Sequence, residues 1–173
     1  MQKQIIYPDF ISRLFAITLD ISIISLLIMP VMNYVKDGIF LYVFRDFFST
    51  QSIEIPGSDA IIWATRSPEF SQYISLSSSS VITFFGILFF INVSSMGAYF
   101  IVFWYKFGTS PGKMLMRMKI VDADDVTKKP SLLNCFKRFF AYFLSPVGIW
   151  SIIFTKKGSA LHDKIANTVV IKA

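Results

Sequence analysis

Two long runs of apolar residues constrain what this 173-residue chain can fold into. The first covers residues 14–32 and is interrupted only by Asp20, and the second covers residues 81–107, with Lys106 at its end. A helix over the first run spans roughly 28 Å, close to the ~30 Å hydrocarbon core of a bilayer. Both runs predict transmembrane helices, because a chain this small with 54% hydrophobic residues cannot hide them all in a soluble core.

The distribution of charge predicts the orientation of the chain. The connection at residues 36–80 has three basic and five acidic residues, whereas residues 106–138 have eight basic and three acidic residues. Because basic loops stay on the cytoplasmic side, we expect segment 108–138 and both termini to be cytoplasmic and the 36–80 loop to lie outside. The net charge of +6 then points to the lipid bilayer as partner and not to nucleic acid, and the expected location is the bacterial cytoplasmic (inner) membrane.

A third apolar run, residues 139–154, is short and is broken by Ser145-Pro146-Val147-Gly148. As a helix it reaches only about 24 Å, and a full crossing would export the lysines of the 155–173 tail. We therefore predict a re-entrant hairpin or a short span. In the 36–80 loop, the aromatic stretch Ile39–Phe48 is also too short to span, and it is predicted to form an interfacial helix.

Two short segments rich in β-branched residues predict a small sheet. Met118–Asp122 reads MKIVD and Thr168–Lys172 reads TVVIK, and each offers backbone groups that the other can pair. The predicted fold is therefore a single all-α membrane domain with two firm transmembrane helices, a broken third hydrophobic segment and a small cytoplasmic β element.

Asp20 and Arg13 carry the strongest functional signal. They are seven residues apart, which is two helical turns, so both lie on one stripe of the first helix. Asp20 lies about 9 Å deeper than Leu14, where an unpaired carboxylate costs several kcal/mol. Asp20 must therefore face another helix or a wet cavity. It is either a proton or cation site, or one partner of a structural ion pair or hydrogen bond.

The segment Gly108-Thr109-Ser110-Pro111-Gly112-Lys113 looks like a phosphate loop but lacks its spacing. A Walker A loop has four residues between its glycines and a Ser or Thr after its Lys. Here three residues separate Gly108 from Gly112, and Met114 follows Lys113. We predict instead a tight turn at the cytoplasmic interface, in which Lys113 meets lipid phosphates.

Two further polar residues are secondary candidates. His162, the only histidine, has one neighbouring acid, whereas a metal site needs three or four ligands; we predict a structural role, with pH sensing as the alternative. Asn92 lies among small residues that favour helix packing, and the alternative is a polar pocket shared with Asp20. The sequence predicts no catalytic residues, metal or cofactor, and we do not expect an enzyme.

These residues together resemble the RDD family of membrane proteins, which is named for one Arg and two Asp. Arg13 and Asp20 match the first-helix pattern of the family, and the resemblance makes Asp163 the second signature aspartate. Further matches are Gly108-Thr109, Gly112-Lys113, Val121-Asp122, Arg138, Pro146, Leu161-His162-Asp163, Ala166 and Thr168-Val169-Val170. Asn167 replaces a usual glycine, although Asn also tolerates a left-handed backbone. The 36–80 loop lies outside the resemblance.

The resemblance implies a polytopic membrane protein, and transport, including cation/proton exchange, is suggested for some members. We expect a small transporter or transporter subunit that moves cations or protons, and the alternative is a non-transporting accessory factor for assembly or for envelope and lipid organisation. Two or three helices leave little room for a pathway, so a homo-oligomer or an assembly with other membrane proteins is expected. Asp163 is expected to contact Arg13, with Lys113 and Lys164 as rival partners.

Overall fold

The computed structural model describes residues 6–50, 60–143 and 160–172. Within these ranges it has eight helices and two strands. In chain order they are α1 (Phe10–Val43), α2 (Arg45–Thr50), α3 (Ala60–Arg66), α4 (Pro68–Leu76), α5 (Ser78–Phe107), α6 (Pro111–Leu115), β1 (Met118–Asp122), α7 (Leu132–Phe143), α8 (Leu161–Ile165) and β2 (Thr168–Lys172).

The helices α1 and α5 are the two predicted membrane-spanning segments. They have 34 and 30 residues, and each contains an 18-residue window of high hydropathy of which only 11% is buried. Both are longer than the apolar runs that predicted them, and α1 continues through Pro30 to Val43. A proline removes one backbone hydrogen bond, and spanning helices tolerate this loss. Apolar surface of this extent is suited to lipid and not to water.

The predicted sheet is confirmed. Strands β1 and β2 are antiparallel, and their register pairs Met118 with Lys172 and Asp122 with Thr168. At the centre of the sheet, Ile120 lies opposite Val170, and both side chains are buried. Of the third apolar run, residues 139–143 belong to α7; residues 144–154 lie outside the described part of the chain, so neither the re-entrant hairpin nor the short span is confirmed.

The two strands belong to two similar arms, each made of a short helix followed by a strand. We call α6 with β1 the Gly112 arm and α8 with β2 the Asp163 arm. The helix and the strand of the second arm each begin 50 residues after their counterparts in the first arm. Before each strand stands a residue with a left-handed backbone, Arg117 at φ 53° and Asn167 at φ 49°. This bend turns the chain from helix to strand. Asn167 has the left-handed backbone that the sequence analysis expected Asn to tolerate in place of glycine. The arms make Lys113 the positional counterpart of Asp163.

The chain forms two compact units, and the arms belong to the unit that combines residues up to 25 with residues 96–173. Gly108 ends α5 here with φ +66°, and a Cβ at this position would lie 3.3 Å from the Ile120 carbonyl oxygen. At Gly97, a Cβ would lie 3.1 Å from the Phe139 ring. Glycine therefore permits both the turn that leads into the Gly112 arm and the close packing of α7 on α5.

The second unit, residues 26–95, has an aromatic core of its own. Phe40, Phe44, Phe47, Phe48, Phe70 and Phe84 are buried together, and Trp63 and Tyr73 pack on them. The stretch 39–48 was expected to be an interfacial helix in a loop; its phenylalanines are instead buried among protein rings, and α1 extends through residue 43. The difference arises because helices α3 and α4 supply an apolar partner surface within the chain.

Candidate functional site

One face of α1 is buried and carries both charged signature residues of that helix. Arg13 is 9% exposed, and Ala16 and Asp20 are fully buried. Their spacing of three and four residues places them on one stripe, as the sequence predicted. Ala16 has the smallest side chain of the three, and it leaves room for another chain segment between the two charges.

Gly112 fills that room. A Cβ on this residue would collide with the Ala16 carbonyl oxygen and would lie 3.0 Å from the Asp20 Cγ. The absence of a side chain lets the Gly112 N–H donate to Asp20 Oδ1 at 2.7 Å. Glycine is therefore required at position 112 because any side chain would prevent the contact with α1, and this requirement is stronger than that of the turn itself.

Three neutral groups hold the Asp20 carboxylate. Besides the Gly112 N–H, the Ser110 hydroxyl donates to Oδ2 at 2.5 Å, and the Tyr99 hydroxyl donates to Oδ1 at 3.4 Å. The Lys113 Nζ is the nearby cation, at 3.8 Å from Oδ2. Because this distance exceeds hydrogen-bond range, Lys113 balances the charge of Asp20 without fixing its position.

The Asp163 carboxylate is held differently, by two guanidinium groups. Arg13 Nη1 lies 2.7 Å from Oδ2, and Arg138 Nη2 lies 2.5 Å from Oδ1. The Ala160 N–H also donates to Oδ2 at 3.0 Å. Burial opposes the charged carboxylate, but the charge of Arg138 and the charge and hydrogen bond of Arg13 outweigh burial and hold the Asp163 pKa well below its usual range. Asp163 therefore stays ionised.

Arg138 is fastened on three sides. Its Nη1 donates to the Thr168 hydroxyl at 2.5 Å, its Nη2 pairs with Asp163, and its guanidinium lies 5.4 Å from the centre of the Trp104 ring. Burial alone would lower the pKa of Arg138, but the Asp163 charge raises it overall. Arg138 thus joins α7 to β2 and α8, and Trp104 of α5 covers it with an aromatic face.

His162 lies beside this ion-pair cluster and is neutral. Its ring stacks on Tyr142 with 4.1 Å between ring centres, and its Nε2 lies 3.5 Å from Asp163 Oδ1. Burial, followed by the positive charge of Arg138, lowers the His162 pKa to about 3. His162 is therefore a structural histidine at physiological pH, and the alternative of a sensor that titrates near neutrality is not supported.

The buried charge network, which we define as Arg13, Asp20, Lys113, Arg138 and Asp163, contains three cations and two carboxylates. Its two carboxylates are chemically different. Asp163 is locked by arginines, which do not release protons, whereas Asp20 faces a lysine, which can. Within the described residues, no group of three or more His, Cys, Asp or Glu side chains could hold a metal ion.

The structure separates the residues that the sequence singled out. Arg13 and Asp163 are in contact, as expected, and the rival Lys164 is exposed. Lys113 was expected at lipid phosphates, but it is 5% exposed and faces Asp20. Asn92 is exposed and donates to the Leu88 carbonyl of its own helix, so it does not line a buried polar pocket as the alternative required.

Sequence reasoning assigned no charge-network role to Arg138, Ser110 or Tyr99. A signal for Arg138 was present, because Cys135, Arg138 and Phe139 occupy one buried helical stripe of α7. A cation on an apolar stripe needs a buried acid. Ser110 and Tyr99 gave no such signal, since Ser is common in turns and Tyr is common at membrane interfaces.

Comparisons with known proteins agree with the sequence resemblance. Residues 7–167 match the profile of the RDD family, a range that includes all five residues of the buried charge network. Over 174 residues the chain is 42% identical to an uncharacterized protein of Rickettsia prowazekii (strain Madrid E), and the alignment covers 100% of both chains. No solved structure matches the chain.

We predict energetic coupling between Arg13 and Asp163. Asp163→Asn leaves two buried guanidinium groups without their acid and is expected to lower the free energy of unfolding by about 3–5 kcal/mol. Arg13→Gln is expected to cost less, because Arg138 still pairs with Asp163. In a double-mutant cycle measured by unfolding in detergent, the coupling energy should be about 0.5–3 kcal/mol. The exposed control Lys164→Gln should cost less than about 0.5 kcal/mol. Strict additivity of the first two losses would contradict the contact.

A second prediction concerns pH. Since the His162 pKa falls from 6.5 unfolded to about 3 folded, the unfolded chain binds an extra proton below pH ~6.5. The free energy of unfolding should therefore fall by up to about 1.4 kcal/mol per pH unit as the pH drops from ~6.5 toward ~3. Thermal unfolding across this range should show a smaller slope for His162→Gln than for the wild type. Equal slopes for both proteins would show that His162 is not buried in neutral form.

Proposed function

Because the chain belongs to the RDD family of membrane proteins, we propose that it is a non-enzymatic transporter or transporter subunit that exchanges a proton or a cation at Asp20. The observation that carries the proposal is the loose pair of Asp20 and Lys113. Neutral donors fix the carboxylate at 2.5 and 2.7 Å, while the ammonium stands 3.8 Å away. The carboxylate can therefore keep its position when its cation changes.

The proposed exchange follows from charge balance in a buried site. When Lys113 releases its proton to the solvent, the Asp20 carboxylate loses its nearby cation, which is costly where both side chains are at least nine-tenths buried. A proton or a small cation taken up at Asp20 replaces that cation, and the return of a proton to Lys113 expels it. Asp163 does not take part in this scheme, because arginine keeps its proton.

Several copies of the chain are needed to complete a pathway. Asp20 lies ten residues into α1, about 15 Å from the start of the helix. An ion therefore needs a route lined by protein to reach the site from the nearer side of the membrane. The two candidate spanning helices among the described residues cannot enclose such a route, whereas the large exposed apolar surface of α1 and α5 can contact further copies or other membrane proteins as well as lipid.

A specific observation favours the alternative role of a non-transporting accessory factor. The pairs made by Asp163 join α1, α7 and α8 tightly, as they would in a protein whose task is to present a fixed cytoplasmic surface. Both roles use the same anchor, so they differ only at Asp20 and Lys113. An accessory factor needs this second pair to be stable, while a transporter needs it to exchange.

We predict that purified protein in proteoliposomes dissipates an imposed proton or cation gradient and that Lys113→Arg lowers the rate about tenfold or more. Arginine retains the charge but does not release its proton. The exposed Lys137→Arg makes the same chemical change on α7 and should leave the rate unchanged. Flux is measured with a pH-sensitive dye and cation-sensitive dyes inside the vesicles. If the wild type moves neither protons nor cations, the accessory role remains.

We also propose that both termini are cytoplasmic and that the membrane is the bacterial inner membrane. The support is the basic excess of residues 106–138 and the lysines of the tail. Alkaline phosphatase fused after residue 173 should be inactive, and a fluorescent protein fused there should fluoresce; the same reporters at the N-terminus should behave identically. An active phosphatase at the C-terminus would instead make residues 139–154 a complete span.

A further inference from the structure

A small, partly open cavity lies against the buried charge network. Its volume is about 40 Å³, and its polar wall consists of Arg13, Lys113, Arg138 and His162. All four side chains are at least nine-tenths buried. The remaining wall is apolar and is formed by Phe10, Leu14, Ile17, Tyr142 and Val170. No carboxylate is among the described residues that line the cavity.

The charges around the cavity do not balance. The buried charge network has three cations against two carboxylates, and the neutral state of His162 adds no charge. One positive charge therefore lacks an internal counter-charge. Burial of an uncompensated charge is costly, so the network as described favours one additional negative charge close to its cations.

Donor groups that suit such a charge are present. Arg13 Nε and Nη2 are buried and have no hydrogen-bond partner within the described residues. The guanidinium group of Arg138, which also interacts with the Tyr142 side chain, is buried too. Both guanidinium groups line the cavity. Guanidinium N–H groups match the geometry of oxyanions, and their bonds to charged oxygen are among the strong hydrogen bonds in proteins.

We propose that this cavity binds a monoanionic phosphate group. One negative charge neutralises the network, and the guanidinium N–H groups that line the cavity suit the oxygen atoms of the group. A phospholipid headgroup and free inorganic phosphate share this chemistry. The inference does not depend on transport, because the third cation and the unpartnered donors exist whether or not Asp20 exchanges ions.

An adjacent apolar pocket makes a phospholipid the expected source. It has a volume of about 210 Å³ and shares Ile17, Lys113 and Tyr142 with the smaller cavity. Its other walls are Met96, Phe100, Phe139 and Phe143. A phosphate group beside Lys113 would thus have apolar space for part of an acyl chain next to it, which free phosphate would leave unfilled.

The first arm of the test uses inorganic phosphate. Detergent-exchanged protein is titrated with phosphate against gluconate at constant ionic strength, and the unfolding temperature is followed by tryptophan fluorescence. A saturable rise supports the site. Lys113→Gln removes the excess charge and should weaken the effect about tenfold or more, while the exposed Lys137→Gln should not change it. Arg13→Lys keeps the charge but removes the fork of donors, so it provides a second variant if Lys113→Gln does not fold.

The second arm uses lipid. Wild-type protein is incubated with phosphatidylglycerol or with a phosphate-free galactolipid of the same acyl chains and is examined by native mass spectrometry. Selective retention of one phosphatidylglycerol, reduced in Lys113→Gln and unchanged in Lys137→Gln, identifies a lipid headgroup. A phosphate effect without lipid retention assigns the site to free phosphate. Absence of both effects, or equal effects in the two variants, overturns the proposal.

The outcome is separable from that of the transport proposal. Lys113→Arg preserves the positive charge, so phosphate or lipid binding should persist while proton or cation flux falls. Flux that depends on Lys113 without any anion binding would leave the transport proposal standing and would remove the anion site. Anion binding without flux would leave the anion site standing and would remove the transport proposal.

Discussion

The ion pairs of the ionised Asp163 with Arg13 and Arg138 are the interaction on which the unit with the buried charge network depends. These residues come from α8, α1 and α7, and the pairs at 2.7 and 2.5 Å bring the three helices to one point. Arg138 extends the cluster to β2 through Thr168. Loss of the single carboxylate would leave two buried guanidinium groups uncompensated, so the packing of the three helices and the sheet depends on this one side chain.

The same face of α1 serves both arms with opposite charges. Arg13 donates to the carboxylate of the Asp163 arm, whereas Asp20 accepts from the Gly112 N–H and lies near the Lys113 ammonium of the other arm. The 50-residue offset makes Lys113 and Asp163 equivalent positions in the two arms. Each arm therefore presents one charged side chain to α1, where a residue of opposite charge faces it. Two turns of helix separate the complements, which is why Ala16 and Gly112 must both be small.

The sequence predicted what depends on pattern. Apolar length identified both spanning helices, β-branched segments identified the sheet, and seven-residue spacing placed Arg13 and Asp20 on one face. It did not predict the contact of Lys113 with Asp20, because the approach of Gly112 to the Ala16 backbone depends on the fold and not on periodicity. The aromatic core around Phe44 was missed for a similar reason, since its partner Phe70 is contributed by a helix that only tertiary packing brings near.

The choice of lysine at position 113 links the two proposals. Lys113 supplies the third cation of the network, whose charge the proposed anion would neutralise, and it is also the cation near the Asp20 carboxylate, at 3.8 Å. An arginine at this position would bind the anion but would break the link, because it has no accessible neutral state. The proposed anion site therefore needs only the positive charge at position 113, whereas the proposed exchange at Asp20 needs a side chain that can also release a proton, which lysine can do and arginine cannot.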